Sequence, residues 1–277
     1  MTPDSPPPVA LSIAGSDPSG GAGIQADLKT FTVLGAFGTT VITALTAQNT
    51  RGVTGVHAIP VEFVDQQLQT LTDDVRIDAV KVGMLASAEL VEIVGAWLAR
   101  SPLNKVPIVL DPVMVATAGS TLLESDAVAA LRDLLPLTSL ITPNLPEAGV
   151  LLNTAPATSL PEMREQAVAL LALGAPRVLL KGGHLTEVGD VGDRVAVDVL
   201  ADADGVHELI GPWIPTENTH GTGCTLSSAV AALRPQRETW LEAVRDAKAW
   251  LTEALRHADR LDIGHGSGPV DHMHGLP

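Results

Sequence analysis

Short apolar runs rich in β-branched residues alternate along this chain with longer amphipathic stretches. The apolar runs predict strands over Val9–Ala14, Thr39–Ala44, Ala79–Val82, Pro107–Leu110, Ser139–Thr142 and Arg177–Leu180. The stretches between them predict helices over Ile24–Leu34, Val61–Thr72, Ala88–Arg100, Asp126–Leu134 and Pro161–Leu173. Because such alternation forms right-handed β-α-β units, the pattern predicts an α/β fold with a central, mainly parallel sheet flanked by helices.

The last third of the chain has a different pattern. Two apolar runs, Val195–Leu200 and Val206–Ile210, are separated by the turn-forming segment Ala201–Gly205. They predict a hairpin at an antiparallel edge of the sheet. From Gly221 to Asp259 the pattern indicates mostly helix.

The sequence shows neither an internal repeat nor a linker, so we predict one domain over residues 9–263. A flexible segment at 1–8 is expected before it, and an irregular tail at 264–277 after it. No basic residue precedes Lys29, and the proline-rich N-terminus does not resemble a signal or transit peptide. We therefore expect the protein in the cytoplasm.

The chain is strongly acidic, which narrows the classes of ligand. Its 17 Lys and Arg against 32 Asp and Glu give a formal net charge of −15. Such a surface repels phosphate backbones and anionic lipids, so we expect neither a nucleic acid nor a membrane as partner. The single cysteine excludes an internal disulfide and a multi-cysteine zinc site. Small molecules, anionic ones included, remain as ligands.

Ligands of open α/β sheets bind at the carboxyl ends of the strands. A glycine-rich loop, Gly15–Gly23, follows the first predicted strand. Its glycines allow close backbone approach to a phosphate, or they only form a tight turn before the helix. Asp27, just inside that helix, either bonds a ligand hydroxyl or complements the helix dipole. The amide of Gln48, after the next strand, either pairs with a heterocycle edge or belongs to a polar turn at 48–52.

Oxygen-bearing and basic side chains follow three further predicted strands. Asp111 is a candidate Mg²⁺ ligand or a loop cap, and Asn144 with Glu147 offers more oxygen ligands or a capping box. Lys181, beside two glycines, is either a phosphate contact or a solvated lysine.

The segment Asn218–Thr225 carries the most specific pattern, N-T-H-G-T-G-C-T before a helix. The amides of Gly221, Thr222, Gly223 and Cys224 would form an anion hole at the helix N-terminus. We expect the helix dipole to lower the pKa of the Cys224 thiol.

The histidines do not indicate a separate site. A nucleophilic pair of His220 with Cys224 is disfavoured because their spacing aims the side chains poorly. His265, His272 and His274 are expected to be solvated in the tail, not to bind a metal.

Taken together, these motifs resemble the ribokinase-like superfamily and, within it, the bacterial hydroxymethylpyrimidine/phosphomethylpyrimidine kinases of thiamine biosynthesis. The segments that carry the resemblance are A-G-S-D-P-S-G-G-A-G-I-Q-A-D-L-K-T (14–30), V-I-T-A-L-T-A-Q-N-T-R-G-V (41–53), K-V-G-M-L (81–85), L-I-T-P-N-L-P-E-A (140–148), L-K-G-G-H (180–184) and T-H-G-T-G-C-T-L-S (219–227). The resemblance implies a three-layer α/β/α kinase, a homodimer, that uses ATP and Mg²⁺. The implied substrates are 4-amino-5-hydroxymethyl-2-methylpyrimidine and then its monophosphate.

The resemblance also implies roles for individual residues. Gln48 would read the pyrimidine's amino and ring-nitrogen edge, in a pocket completed by Gly15, Ser16, Asp27, Met84 and Val113. Mg²⁺ and the nucleotide phosphates would be held by Asp111, Asn144, Glu147, Lys181 and Gly223. Cys224 would stand where most ribokinase relatives carry an aspartate base. Residues Ala116–Leu122 would form a mobile flap over the substrate.

Two other functions remain open from the sequence. A pyridoxine or pyridoxal kinase shares the fold and some motifs. A non-catalytic pyrimidine sensor would keep the pocket, but it has no need of the phosphate-binding constellation.

Overall fold

The computed structural model describes residues 5–100, 102–114, 127–183, 185 and 194–276. Within these residues nine strands form one sheet: β1 Val9–Ser16, β2 Phe37–Asn49, β3 Gly52–Ala58, β4 Ala79–Val82, β5 Ile108–Leu110, β6 Leu140–Ile141, β7 Val178–Lys181, β8 Val195–Asp202 and β9 Gly205–Pro212. Their order is β3-β2-β1-β4-β5-β6-β7-β8-β9. Strands β2 to β7 in this order are parallel, whereas β3 at one edge and β8 and β9 at the other are antiparallel. The predicted mainly parallel sheet is confirmed.

Helices cover both faces of this sheet. Those described are α1 Gly23–Val33, α2 Val61–Thr72, α3 Ala88–Leu98, α4 Ala127–Leu134, α5 Leu145–Leu152, α6 Leu160–Ala172, α7 Thr222–Leu233 and α8 Trp240–Arg256. Because successive strand residues face opposite ways, the sheet supports two cores. Leu11 and Leu110 pack toward α2 to α6, while Ala10 and Val109 pack toward α1, α7 and α8. None of the described helices combines the length and the apolar content that a membrane span requires.

The largest departure from the predicted elements is a hairpin at one edge of the sheet. Strand β2 runs past the predicted Thr39–Ala44 to Asn49 and then pairs with β3, which the pattern did not predict. Most of β3 is exposed, so its residues lack the buried alternation that marks a strand in a sequence. The polar segment Gln48–Gly52 is therefore the end of a hairpin, and Leu45 and Val56 are exposed on it.

The segment 264–276 has no helix or strand, and part of it is packed into the protein. Asp271 is buried, and its backbone N–H donates to the carbonyl of Ala254. His272 is 3% exposed, and its Nε2 lies 3.0 Å from Thr225 Oγ1. Burial lowers the pKa of His272 to about 4. The prediction that His272 is solvated is wrong, because distant parts of the chain cover it. The domain limits at residues 9 and 263 stay predictions.

Candidate active site

A buried ion pair marks the centre of the candidate site, at the carboxyl ends of the parallel strands. Asp111 follows β5, Lys181 ends β7, and Lys181 Nζ lies 2.9 Å from Asp111 Oδ1. The hydroxyls of Thr142 and Ser227 donate to the same carboxylate at 3.2 and 3.4 Å. Burial favours a neutral Lys181, but Asp111 and Glu147 outweigh it and raise the pKa of the amine. The site therefore holds a fixed ammonium group.

The first turn of α7 lies directly against this pair. A Cβ added to Gly223 would stand 3.1 Å from Lys181 Nζ and 3.5 Å from Asp111 Oδ2. Gly221 caps the helix at φ 77°, and a Cβ there would fall 1.8 Å from the carbonyl oxygen of Gly21. Both the left-handed backbone and the contact require glycine at 221.

The same turn supplies backbone donors for an anion. Amides in the first turn of a helix lack acceptors within the helix. One of them, Thr222 N–H, donates to the carbonyl of Thr219 at 3.3 Å, and Thr225 N–H donates to Gly221. The amides of Gly223 and Cys224 lie between them. The positive end of α7 and the ammonium of Lys181 thus face one region, although its use as an anion hole stays a prediction.

Cys224 lies in this turn and is half-buried. Burial raises the pKa of its thiol to about 11, with Asp111 and Asp27 adding to the effect. The charge of Lys81 and a hydrogen bond from Gly23 N–H oppose it. The prediction that the helix end lowers this pKa is wrong, because desolvation and the carboxylates dominate. At neutral pH Cys224 is a thiol.

Asp27 belongs to the interior and not to an accessible pocket. Asp27 and Lys81 pair with no exposed side-chain area, and both carboxylate oxygens lie 2.9 Å from Lys81 Nζ. The hydroxyls of Ser12 and Ser228 also donate to this carboxylate, at 2.5 and 2.6 Å. Its oxygens are therefore occupied by partners from β1, β4 and α7. Asp27 joins these elements to α1, and a ligand would have to displace those partners to reach it.

Asn144 and Glu147 form the capping box of α5, the structural alternative raised by their spacing. Asn144 Oδ1 accepts from Glu147 N–H at 2.9 Å, and Glu147 Oε2 accepts from Asn144 N–H at 2.8 Å. Burial raises the pKa of Glu147 to about 7, with Lys181 opposing and Asp111 reinforcing the shift. The charges of Lys181 and Asp111 thus act on the Glu147 carboxyl group. Its role in the capping box therefore does not exclude a role in the site.

The carboxylates fit a magnesium ion of the nucleotide-bound kind. Among the described residues, no group of three or more His, Cys, Asp or Glu could hold a metal ion. Mg²⁺ in phosphate-transfer sites commonly takes one or two carboxylates and completes its shell with water and phosphate oxygens. Asp111 and Glu147 match that donor set and do not match an all-protein cage.

The other predicted pocket residues lie toward β1, β2 and β4. Gly15 packs against Met84, whose Cε would be 2.5 Å from a Cβ at position 15. Ser16 and Gln48 are half-buried at the ends of β1 and β2, and Val113 is half-buried in the loop after β5. The predicted flap Ala116–Leu122 lies outside the described residues.

A buried pair that the sequence pattern did not single out adjoins this pocket. His220 Nε2 lies 2.7 Å from Asp17 Oδ2 and 3.3 Å from the Gln48 amide. Burial alone would raise the pKa of Asp17, but hydrogen bonds from His220 and Ser19 hold it below its usual range. Both partners stand in glycine-rich motifs, which is the signal that was available. Their separation of 203 residues hid the contact.

The profile of a known protein family, described as phosphomethylpyrimidine kinase, matches residues 17–271. The chain belongs to the phosphomethylpyrimidine kinase family. One relative with this activity in its name is the hydroxymethylpyrimidine/phosphomethylpyrimidine kinase of Escherichia coli (strain K12). It is 54% identical over 266 residues, which cover 96% of this chain and 97% of the relative. The resemblance to this kinase family is confirmed.

Solved structures related to this phosphomethylpyrimidine kinase chain have the same fold. A phosphomethylpyrimidine kinase from Clostridium difficile 630 is 37% identical with a TM-score of 0.77, over 90% of this chain and 99% of that one. An ADP complex of Bacillus subtilis pyridoxal kinase is 36% identical with a TM-score of 0.86, over 96% and 98% of the two chains. The ribokinase-like fold and the kinase class are thereby confirmed.

Proposed function

We propose that this protein transfers the γ-phosphoryl group of ATP to 4-amino-5-hydroxymethyl-2-methylpyrimidine, and then phosphorylates the monophosphate to the diphosphate, for thiamine diphosphate biosynthesis. The observation that carries this proposal is the first turn of α7 placed against the Lys181–Asp111 pair. It puts backbone donors, an ammonium and a carboxylate around one small region. Phosphoryl transfer needs mainly such positioning and charge stabilisation.

The nucleotide end of the site would be organised by the residues around this pair. Asp111 and Glu147 would hold Mg²⁺, which when bound neutralises charge on the phosphates. Lys181 would contact the phosphates, and Asn144 and Gly223 would border them. With a pKa of about 7, the Glu147 carboxyl group is half protonated at neutral pH and would lose its proton when a cation binds beside it.

The heterocycle end of the site would bind the pyrimidine between β1, β2 and β4. The half-buried Gln48 amide has hydrogen-bonding capacity for the amino and ring-nitrogen edge. Gly15 and Ser16 would form one wall, and Met84 and Val113 would supply apolar contact.

Cys224 would accept the proton of the substrate hydroxyl late in the transfer. Because the thiol carries its own proton at neutral pH, this role requires that proton to pass to solvent before the substrate hydroxyl gives up its own. The charge of Lys81 favours its departure, and Asp27 and Asp111 oppose it. We expect Cys224→Ala to lower kcat by at least ~10²-fold, the usual size of a general-base contribution. An unchanged kcat, measured by ADP release, would remove Cys224 from this role.

A pyridoxal kinase is the second candidate, because the Bacillus subtilis pyridoxal kinase superposes with a TM-score of 0.86. The identity of 54% to the Escherichia coli pyrimidine kinase favours the first. A homodimer is also proposed, supported by exposed Leu45 and Val56 on the β2–β3 hairpin. A cytoplasmic location is part of the same proposal.

The deciding experiment is a coupled ADP-release assay with MgATP and three substrates: the hydroxymethylpyrimidine, its monophosphate and pyridoxine. Turnover of the first two, with formation of the diphosphate, is expected. Turnover of pyridoxine alone would reassign the protein to vitamin B6 salvage. Binding of the pyrimidine without ADP from any substrate would indicate a sensor.

A further inference from the structure

The amide of Gln48 is held at both ends by neighbouring side chains. One end, placed as Oε1, lies 3.2 Å from Thr46 Oγ1, and the other, placed as Nε2, lies 3.3 Å from His220 Nε2. The oxygen and nitrogen of an amide are nearly the same size, so the surrounding donors and acceptors decide which is which. That choice matters, because it determines which ligand edge the amide can pair with.

The partners of His220 assign the oxygen to its side. Asp17 is a carboxylate that already accepts from Ser19 and from Ala22 N–H, and a carboxylate can only accept. His220 Nε2, 2.7 Å from Asp17 Oδ2, must therefore carry the proton and donate it. A nitrogen that carries a proton cannot accept from an amide NH₂ group. The end of Gln48 that faces His220 is consequently the carbonyl oxygen, which shares at 3.3 Å the N–H that His220 gives mainly to Asp17 at 2.7 Å.

The partners of Thr46 lead to the same orientation independently. Its hydroxyl has one proton, which it donates to the carbonyl oxygen of Ser16 at 2.8 Å. Toward Gln48 the hydroxyl oxygen can then only accept. The end of Gln48 that faces Thr46 is therefore the NH₂ group.

We propose that Asp17, His220 and Thr46 are positioning residues that lock the Gln48 amide with its oxygen toward His220 and its NH₂ toward Thr46. The locked amide selects a ring edge with a donor on the His220 side and an acceptor on the Thr46 side. This inference rests on the proposed function and deepens it. An exocyclic amino group next to a ring nitrogen has this pattern, whereas a carbonyl next to a ring N–H has the reverse.

The lock also decides which way round the ring binds. In the proposed substrate the amino group stands between the ring nitrogen and the carbon that bears the hydroxymethyl group. An amino group on the His220 side therefore directs the hydroxymethyl group toward that side as well. Gly221, the cap of α7, directly follows His220 in the chain. The orientation of one amide thus brings the reacting hydroxyl toward the phosphate-binding turn.

The test compares the 4-amino substrate with its 4-oxo analogue, 5-hydroxymethyl-2-methylpyrimidin-4-one, by kcat/KM for ADP release. Wild-type protein is expected to prefer the amino compound by at least ~100-fold, because a site built for one hydrogen-bonding pattern rejects its reverse. In His220→Leu only Thr46 still orients the amide, and its hydroxyl can donate to the amide oxygen instead of to Ser16, so the preference should fall below ~10-fold, mainly through KM. His220→Gln, which keeps an N–H donor, should restore it. His207→Leu, the same change on β9, is the matched control and should leave it unaltered.

Thr46→Val, nearly equal in shape, tests the other end of the lock and should also reduce the preference. Thr46→Val replaces His220→Leu as the test if thermal unfolding shows that His220→Leu does not fold. An equal loss of kcat/KM for both pyrimidines, with the preference intact, would show a structural role only and overturn the lock. Wild type that turns over both compounds equally would overturn it too. Failure of the proposed function is distinguishable, because wild type would then release no ADP with the amino compound.

Discussion

Cys224 will titrate far above an ordinary cysteine even though it lies at the start of a helix. Burial dominates its surroundings, Asp111 and Asp27 add negative charge, and only Lys81 and a backbone N–H oppose them. The result is a thiol pKa of about 11. An unperturbed thiol has a pKa of ~8.5, so the thiolate fraction at pH 7 falls from ~3% to ~0.01%, a difference of ~300-fold.

The composition of the chain makes this titration measurable by ultraviolet absorbance. Cys224 is the only cysteine and the chain contains no tyrosine, so neither a second thiolate nor tyrosinate interferes. The protein is titrated from neutral pH to about pH 12, with Cys224→Ser as the blank. Fluorescence of the four tryptophans reports whether the fold survives at each pH. Iodoacetamide labelling, followed by mass spectrometry over the same range, should have the same midpoint.

Two variants give opposite expected shifts. Asp111→Asn removes a negative charge and should lower the thiol pKa, whereas Lys81→Met removes the favourable positive charge and should raise it. Because the folded pKa exceeds the unfolded one, this group's contribution to stability is full at neutral pH and is lost as pH rises from ~8.5 to ~11. A midpoint at or below ~8.5 while tryptophan fluorescence stays native would refute the reasoning, because the helix end would then outweigh burial.

Three further predictions follow from the packing of the site. Lys81→Met should lower the free energy of unfolding, measured in urea, by about 3–5 kcal/mol, because it leaves the Asp27 carboxylate buried without its partner. Adding Asp27→Leu to this variant should recover most of the lost free energy. If the double variant recovers none of it, the pairing is contradicted. Gly221→Ala places a methyl group where only 1.8 Å separates it from the Gly21 carbonyl, and should cost at least ~10²-fold in kcat. Gly183→Ala, whose added methyl group meets no atom of the described residues within 4 Å, is its control and should be near normal. The Mg²⁺ concentration for half-maximal activity should rise as pH falls below the Glu147 pKa of about 7, since a protonated carboxyl is a poor ligand, and Glu147→Gln should abolish that dependence on pH.

The alternation of strands and helices could be predicted because burial in this fold follows local periodicities. Apart from Lys81 and Lys181, the strands β4, β5 and β7 are apolar and buried on both faces, and α2 and α6 have apolar and polar sides. Strand β3 was not predicted, because an exposed edge strand is held by pairing with β2 and carries no buried pattern of its own.

The sequence by itself determined the α/β architecture and the loops in which chemistry is expected. It also supplied the glycine at 221, although only the structure shows the left-handed backbone and the contact with Gly21 that require it. Only the tertiary structure decided that Asp27 is paired with Lys81, that His220 contacts Asp17, and that the Cys224 thiol stays protonated at neutral pH. Each of these depends on side chains brought together from distant parts of the chain and on the water they exclude. A sequence pattern reports neither the long-range contacts nor the loss of water, because desolvation depends on everything that packs around a group.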